Sequence, residues 1–294
     1  MKGHSRKQPA TPVIEQVAKM AMQLGQRHLA DYGATRSRHD FTQRQLMACL
    51  ILRAYLKTTY RGVLEVLAIS PALRQELGMR DKLPHFTTLQ KFSVRSEVLA
   101  IAQKLVATIG QAAARQASQP TAAAMDSTGF ATTTASAYFR SRKGQPCRQW
   151  VKLSVMVLCG SLLPVGLVLD LGPSNDRIQV PALLTQAQAV AQPATLYADA
   201  GYDAEWIHVQ CREKWGVASV IKPNGQRADG TRNGKWRRGM SAENLRDWQY
   251  GRRWAVETFF SGLKRTMGAA LSSRRPDQML AEAAFRVLAY ALRR

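Results

Sequence analysis

Acidic side chains are scarce in this sequence: 20 Asp and Glu stand against 42 Lys and Arg in 294 residues, a formal net charge of +22. That imbalance excludes an ordinary acidic or neutral metabolic enzyme and requires an anionic partner, either nucleic acid phosphates or membrane headgroups. Cysteine is scarce as well. Cys49, Cys147, Cys159 and Cys211 form no CxxC pair and the five histidines are scattered, which argues against a zinc site or disulfide framework and for a reduced, cytosolic setting. Leu153 to Leu169 carries no charge, yet it is short for a membrane span and is broken by Gly160, Ser161 and Pro164. Val155 and Val157 before the break, and Val165 and Val168 after it, make this a buried hairpin instead. No apolar segment follows the polar, basic start from Met1 to Thr11, so no signal peptide is read there. Hydrophobic residues still make up 46%, enough for folded domains and too many for a histone-like tail.

The first hundred or so residues have helical periodicity. Val13, Val17, Met20 and Leu24 recur at helical spacing, followed by Leu46, Leu50 and Leu56, then Val63, Leu64 and Leu67. Leu83 to Thr88 reads as a turn with a hydroxyl N-cap that opens one long helix through Leu89, Phe92, Leu99, Leu105 and Ile109. Gln116 to Thr121, small, polar and containing Pro120, is the best domain boundary. After it, segments 122–130, 150–158, 163–170, 194–200 and 217–222 suit strands, with helices near 181–191 and 204–215. The predicted fold is an α/β domain with a mixed sheet over 121–294, preceded by an all-helical domain over 1–118. Between Lys222 and Arg253, nine Lys or Arg and three Asp or Glu are interspersed with glycines that include Gly225, Gly230, Gly234 and Gly239, the pattern of a flexible basic loop. Lys235, Arg237 and Arg238 are its candidate DNA contacts; a merely solvated loop is the plainer reading.

Three acids stand out by their surroundings. Asp126 and Asp199 each end an apolar strand pattern, where a carboxylate needs a hydrogen-bonding, cationic or metal partner. Taken singly, each could equally be a turn or N-cap Asp. Glu257 lies in Tyr250-x2-Arg253-x3-Glu257-x6-Lys264, four residues that fall in one stripe about 60° wide if the segment is a single helix. Phe259, Phe260, Leu263 and Met267 occupy the adjoining face. The plainer reading of the stripe is a chain of surface ion pairs.

This spacing matches, without a gap, the Y-R-E-K signature of DDE transposases from bacterial insertion sequences. Tyr197-x-Asp199-x-Gly201-Tyr202-Asp203 resembles that group's second-aspartate motif, and Asp126-Ser127-Thr128-Gly129 resembles its first. Tyr60-Arg61-Gly62 and Phe86-Thr87-Thr88-Leu89 are similar, more loosely, to its leading domain. Only 257 − 199 = 58 positions separate the last two acids, which leaves no room for a large β insertion and makes the chain most similar to insertion sequence family five. The resemblance implies a ribonuclease-H-like catalytic domain in which Asp126, Asp199 and Glu257 bind two Mg²⁺ ions, with Mn²⁺ able to substitute. It implies phosphate contacts from Arg253, Lys264 and Tyr250, cleavage and strand transfer on double-stranded DNA at terminal inverted repeats and target, and a homodimer working without a membrane in the bacterial cytoplasm. Two Mg²⁺ ions suit this chemistry because they activate the attacking oxygen and stabilise both the transition state and the leaving oxygen.

Other candidates have plainer readings. Asp203 stands just before a helix and reads as its N-cap. Asp176 follows Asn175 where relatives carry a His-Asp pair, and Ser127 lacks a nucleophile elbow and is structural. Trp248 and Trp254 flank the signature, suited either to stacking on an unpaired base or to the core. Thr87 and Thr88 would open the reading helix of a helix-turn-helix. A ribonuclease-H-like nuclease without strand transfer and a domesticated, non-catalytic DNA-binding protein are the alternative functions.

Overall fold

The computed structural model describes residues 11–36, 38–118, 121–132, 150–224 and 233–294. They form two compact units, one through Ser93 together with Arg293, the other from Val94 to Leu292 together with Arg294.

The first unit is helical: α1 (Val13–His28), α2 (Gln43–Tyr55), α3 (Tyr60–Ile69), α4 (Pro71–Glu76) and α5 (Phe86–Ser93). Thr42 opens α2 through a reciprocal capping box with Gln45, which satisfies two backbone donors at once. Val17 and Leu24 of α1, Leu46 and Leu50 of α2 and Val63 and Leu67 of α3 are buried, as their spacing predicts. The two loosely matching motifs also meet here. Arg61 stacks on the Phe86 ring at 4.2 Å, and the Tyr60 hydroxyl lies 2.9 Å from Ser93 Oγ. The expected single long helix is in fact two, because the chain turns at Val94 and extends at Arg95 before α6 (Ser96–Gln116) begins. Thr87 and Thr88 lie within the first turn of α5 rather than before it.

The second unit contains α6, although a helix-to-strand change does fall at the anticipated 116–121 boundary. Gln103 of α6 reaches the Leu167 carbonyl at 3.1 Å in the sheet that follows. That sheet consists of β1 (Ala122–Ala131), β2 (Trp150–Leu158), β3 (Pro164–Gly172), β4 (Thr195–Ala198) and β5 (Ala218–Ile221), in the order β3-β2-β1-β4-β5. β1 to β3 pair antiparallel, while β1, β4 and β5 run parallel, giving a mixed sheet. The charge-free run forms the β2–β3 hairpin, and among the described residues no helix is long and apolar enough to cross a membrane. Edge strand β3 is capped at Leu167, whose N–H donates to Gln186 Oε1 at 2.9 Å and whose carbonyl takes the Gln103 amide, so pairing is blocked at that residue.

Each sheet face has its own cover. Ala123, Met125, Met156 and Leu158 pack with Leu183 of α7 (Val180–Gln188) and Ile207 of α8 (Glu205–Val209), which continues into a π-helical turn at Gln210–Lys214. α11 (Trp254–Met267) lies on the other face, burying Val256, Phe259, Phe260, Leu263 and Met267, each worth roughly 1.5 to 3 kcal/mol. Before it come short helices α9 (Lys235–Arg238) and α10 (Ala242–Asp247), and after it α12 (Pro276–Arg293). The anticipated flexible basic loop is therefore helical through much of 233–253, with positions 225–232 of that segment outside the described residues. Together these features define a helical bundle followed by a ribonuclease-H-like domain.

His208 sits fully buried under β5, its Nδ1 2.7 Å from Ser219 Oγ. Burial, reinforced by the charge of Arg212, pushes its pKa down to about 4. A His with a lowered folded pKa stays neutral while its unfolded counterpart takes a proton, so stability falls as pH drops from about 6.5 toward about 4. Between pH 7 and pH 5 this group should cost about 2 kcal/mol. Urea titrations of H208Q and wild type at both pH values check this: the variant should lose that much less on acidification, and parallel losses would refute it.

Candidate active site

Asp199 lies just past the end of β4, as its strand pattern assigns it, whereas Asp126 lies in the middle of β1, which continues to Ala131 after the apolar run ends. Because β1 and β4 are parallel neighbours, both acids sit toward the same end of the sheet. Asp126 Oδ1 accepts the Ser127 N–H at 2.7 Å, and Asp199 Oδ1 accepts the Gly201 N–H at 2.9 Å to cap a 3-10 turn. Burial pushes the Asp126 carboxyl up to about 6, and the neighbouring Asp199 and Asp176 raise it further while Ser127 and Arg253 oppose. The electrostatics thus put two further acids, Asp199 and Asp176, around one partly buried carboxyl.

The Y-R-E-K residues are not one helical stripe. Gln249 has a left-handed backbone, φ 54°, and Tyr250–Arg253 forms a 3-10 turn before α11 starts at Trp254. The four side chains converge nonetheless. Arg253 spans two carboxylates, donating through Nη2 to Glu257 Oε1 and facing Asp126 Oδ2 through Nη1 at 3.5 Å, although Asp126 is 127 positions away in the chain. The Tyr250 hydroxyl donates to the Ala198 carbonyl at 3.1 Å, fastening the turn to the residue before Asp199. Burial and the charges of Asp199, Asp126 and Glu257 all raise its pKa, with Arg253 opposing. Lys264 Nζ donates to Thr128 Oγ1 at 2.6 Å, and burial lowers its pKa. Among the described residues no ion pair holds Lys264. A half-buried ammonium without a carboxylate partner suits an incoming phosphate.

Among the described residues no group of three or more His, Cys, Asp or Glu is arranged to hold a metal ion. The Arg253 guanidinium supplies positive charge between Asp126 and Glu257. The donor chemistry still fits a hard divalent cation, since carboxylate oxygens dominate and the Asp126 carboxyl is short of compensating charge.

Residues that sequence reasoning passed over complete the surroundings. Lys152 is only 1% exposed within β2, and its ammonium donates to the Ser174 carbonyl at 2.6 Å and to Asp176 Oδ1 at 2.7 Å. Its signal was a lone cation in an otherwise apolar strand. Lys152 fixes Asp176 beside the site. Ser127 is structural, bonded to Ser154 Oγ at 2.6 Å and to the Tyr202 hydroxyl at 2.8 Å.

Asp203 is no N-cap. Ala204 occupies that position, and Asp203 is instead the buried partner of Arg237, at 2.7 and 2.6 Å, while also accepting the Asn224 N–H. Arg237 therefore serves this pair. Lys235 lies 4.3 Å from the Trp236 ring centre and 4.0 Å from Glu213, while Arg238 is exposed and donates to the Gly234 carbonyl. Thr88 is exposed on the first unit and Thr87 bonds His85. Trp248 and Trp254 are 40% and 69% exposed, so neither is a core residue.

A mixed sheet flanked by helices, with acids on β1 and after β4 facing an acid and two bases around α11, defines a catalytic domain of the ribonuclease-H-like class. Residues 117–292, more than half of the chain, match the model of the transposase DDE domain, and the chain belongs to that family. It is a transposase-type enzyme acting on DNA, in a family whose chemistry generally depends on divalent metal. Comparison with curated proteins gave no match.

Proposed function

We propose that this protein is the transposase of an insertion sequence similar to family five, binding the element's terminal inverted repeats as a homodimer and catalysing strand cleavage and strand transfer. The observation that carries this reading is Arg253 bridging Asp126 and Glu257, which gathers residues remote in sequence at one end of the sheet. Asp126, Asp199 and Glu257 would hold Mg²⁺, which when bound activates the attacking oxygen and stabilises the leaving one. Lys264 and Arg253 bind the non-bridging phosphate oxygens, and Tyr250 holds their turn against β4. Residues before about 118, with Thr87 and Thr88 on α5, recognise the repeat sequence, while Lys235 and Arg238 add contacts to phosphate.

Labelled duplexes carrying the element's ends, incubated with Mg²⁺ or Mn²⁺, test the reading. Wild type should nick the ends and join them to a target. K264A and R253A should each lower both steps by about 100-fold or more, with little change in the melting temperature of K264A. Full activity in both variants would return the cluster to a set of surface ion pairs, and cleavage without joined product would leave a nuclease.

A further inference from the structure

Arg252 and Arg253 are adjacent in the chain, yet they serve different surroundings. Arg253 faces the acids. Arg252 is exposed and lines an open cavity of about 470 Å³ between the end of α6, the start of β1 and the β2–β3 turn. A second cavity of about 320 Å³ shares Gly160 and Arg252 with the first and extends past Trp254 to Arg294. The two adjoin at Gly160 and Arg252, and together are called the groove. Among the described residues its lining includes two arginines, four hydroxyl side chains, the Gln116 amide and no Asp or Glu. Neither arginine has an ion pair among the described residues; Arg294 is steadied by the Ser161 carbonyl at 3.2 Å and the Tyr290 hydroxyl at 3.5 Å. Trp254, at 69% exposure, sets an indole face beside these cations.

We propose that this groove carries the sugar-phosphate backbone of the same DNA duplex whose reacting phosphate lies among Asp126, Asp199 and Glu257, an assignment that rests on the function proposed above. Consecutive Cα atoms are only about 3.8 Å apart, so Arg252 and Arg253 lie well within the span of one duplex. Guanidiniums that no Asp or Glu neutralises among the described residues match phosphate in charge and in fork geometry. An exposed indole next to them offers an apolar face to the sugars. A second copy of the chain is the poorer occupant, because it would bring its own net charge of +22 against a cationic groove.

Two measurements on the full chain decide this. R252A/R294A should weaken binding of a fluorescent duplex and flatten the dependence of log affinity on log salt by about 2, one unit for each lost phosphate contact. A photo-reactive benzoylphenylalanine in place of Gly160, where an added Cβ meets nothing within 4 Å, should cross-link to DNA. Unchanged affinity and slope in the double variant, or cross-linking to a second copy instead of DNA, overturns the assignment. Cleavage by wild type is followed on the same duplex. Normal cleavage with an unchanged slope removes only the groove, whereas a DNA cross-link and a flattened slope without any cleavage remove the transposase reading and leave the groove.

Discussion

D126N should abolish DNA cleavage, by at least about 1000-fold, and should also make the protein more stable. The two effects share one cause. Burial holds the Asp126 carboxyl at about 6 against an ordinary value of 3.8, so the fold pays to keep it ionised. For an acid whose folded pKa is raised, the unfolded chain releases its proton first, and stability declines as pH climbs from about 4 through about 6. Above that range the penalty approaches roughly 3 kcal/mol, which an uncharged amide of the same shape avoids. The gain of D126N over wild type should therefore be full at pH 7.5 and vanish near pH 4, the opposite trend to that expected from His208. Chemical denaturation across this range measures it. A variant less stable than wild type at pH 7.5 would mean that Asp126 is held by interactions stronger than its burial.

D203A should have the opposite profile, a large loss of stability that reaches activity only indirectly. The Asp203 side chain is 1% exposed and takes both arms of Arg237, which is itself 20% exposed. Arg237 holds Asp203 below the usual carboxylate range despite its burial. Removing the acid strands a guanidinium and the Asn224 N–H, at a cost of about 2 to 3 kcal/mol once the partial exposure of Arg237 is allowed for. The neighbouring anchors act on the same helix. Glu205 accepts the Trp236 and Arg237 N–H groups at 2.9 and 3.1 Å, and at Gly234, φ 102°, any side chain would collide with that carboxylate. Because α9 leads to the turn that carries Tyr250 and Arg253, D203A should loosen that turn and expose 233–253 to protease. A double-mutant cycle with R237M gives the coupling. Coupling below about 0.5 kcal/mol would show that Glu205 alone anchors the helix.

Local pattern made much of the fold legible. Alternating β-branched residues around Gly160 and Pro164 specify the β2–β3 hairpin wherever it lies in space, and the period of Val63 and Leu67 specifies a buried helical face. Errors arose where backbone geometry had to be supplied by tertiary contact. Periodicity continues from Leu89 to Ile109, but the turn at Val94 and Arg95 carries no proline or glycine to announce it. The same holds at Gln249, whose left-handed backbone breaks the expected stripe without the Asn or Gly that usually marks such a residue.

The sequence by itself determined the class of partner through its excess of cations, the strands and their acids through short apolar runs that end in a carboxylate, and the family through three spaced motifs. Only the tertiary structure decided which charges meet. Ion pairing depends on distances of a few ångströms between residues far apart in the chain, and no local pattern encodes them. Arg237, read as a DNA contact, is committed to Asp203, and Arg253 reaches from Glu257 to Asp126, 127 positions away in the chain. Lys264, within the same motif, retains no ion pair among the described residues, because the fold brings a hydroxyl rather than a carboxylate to its end.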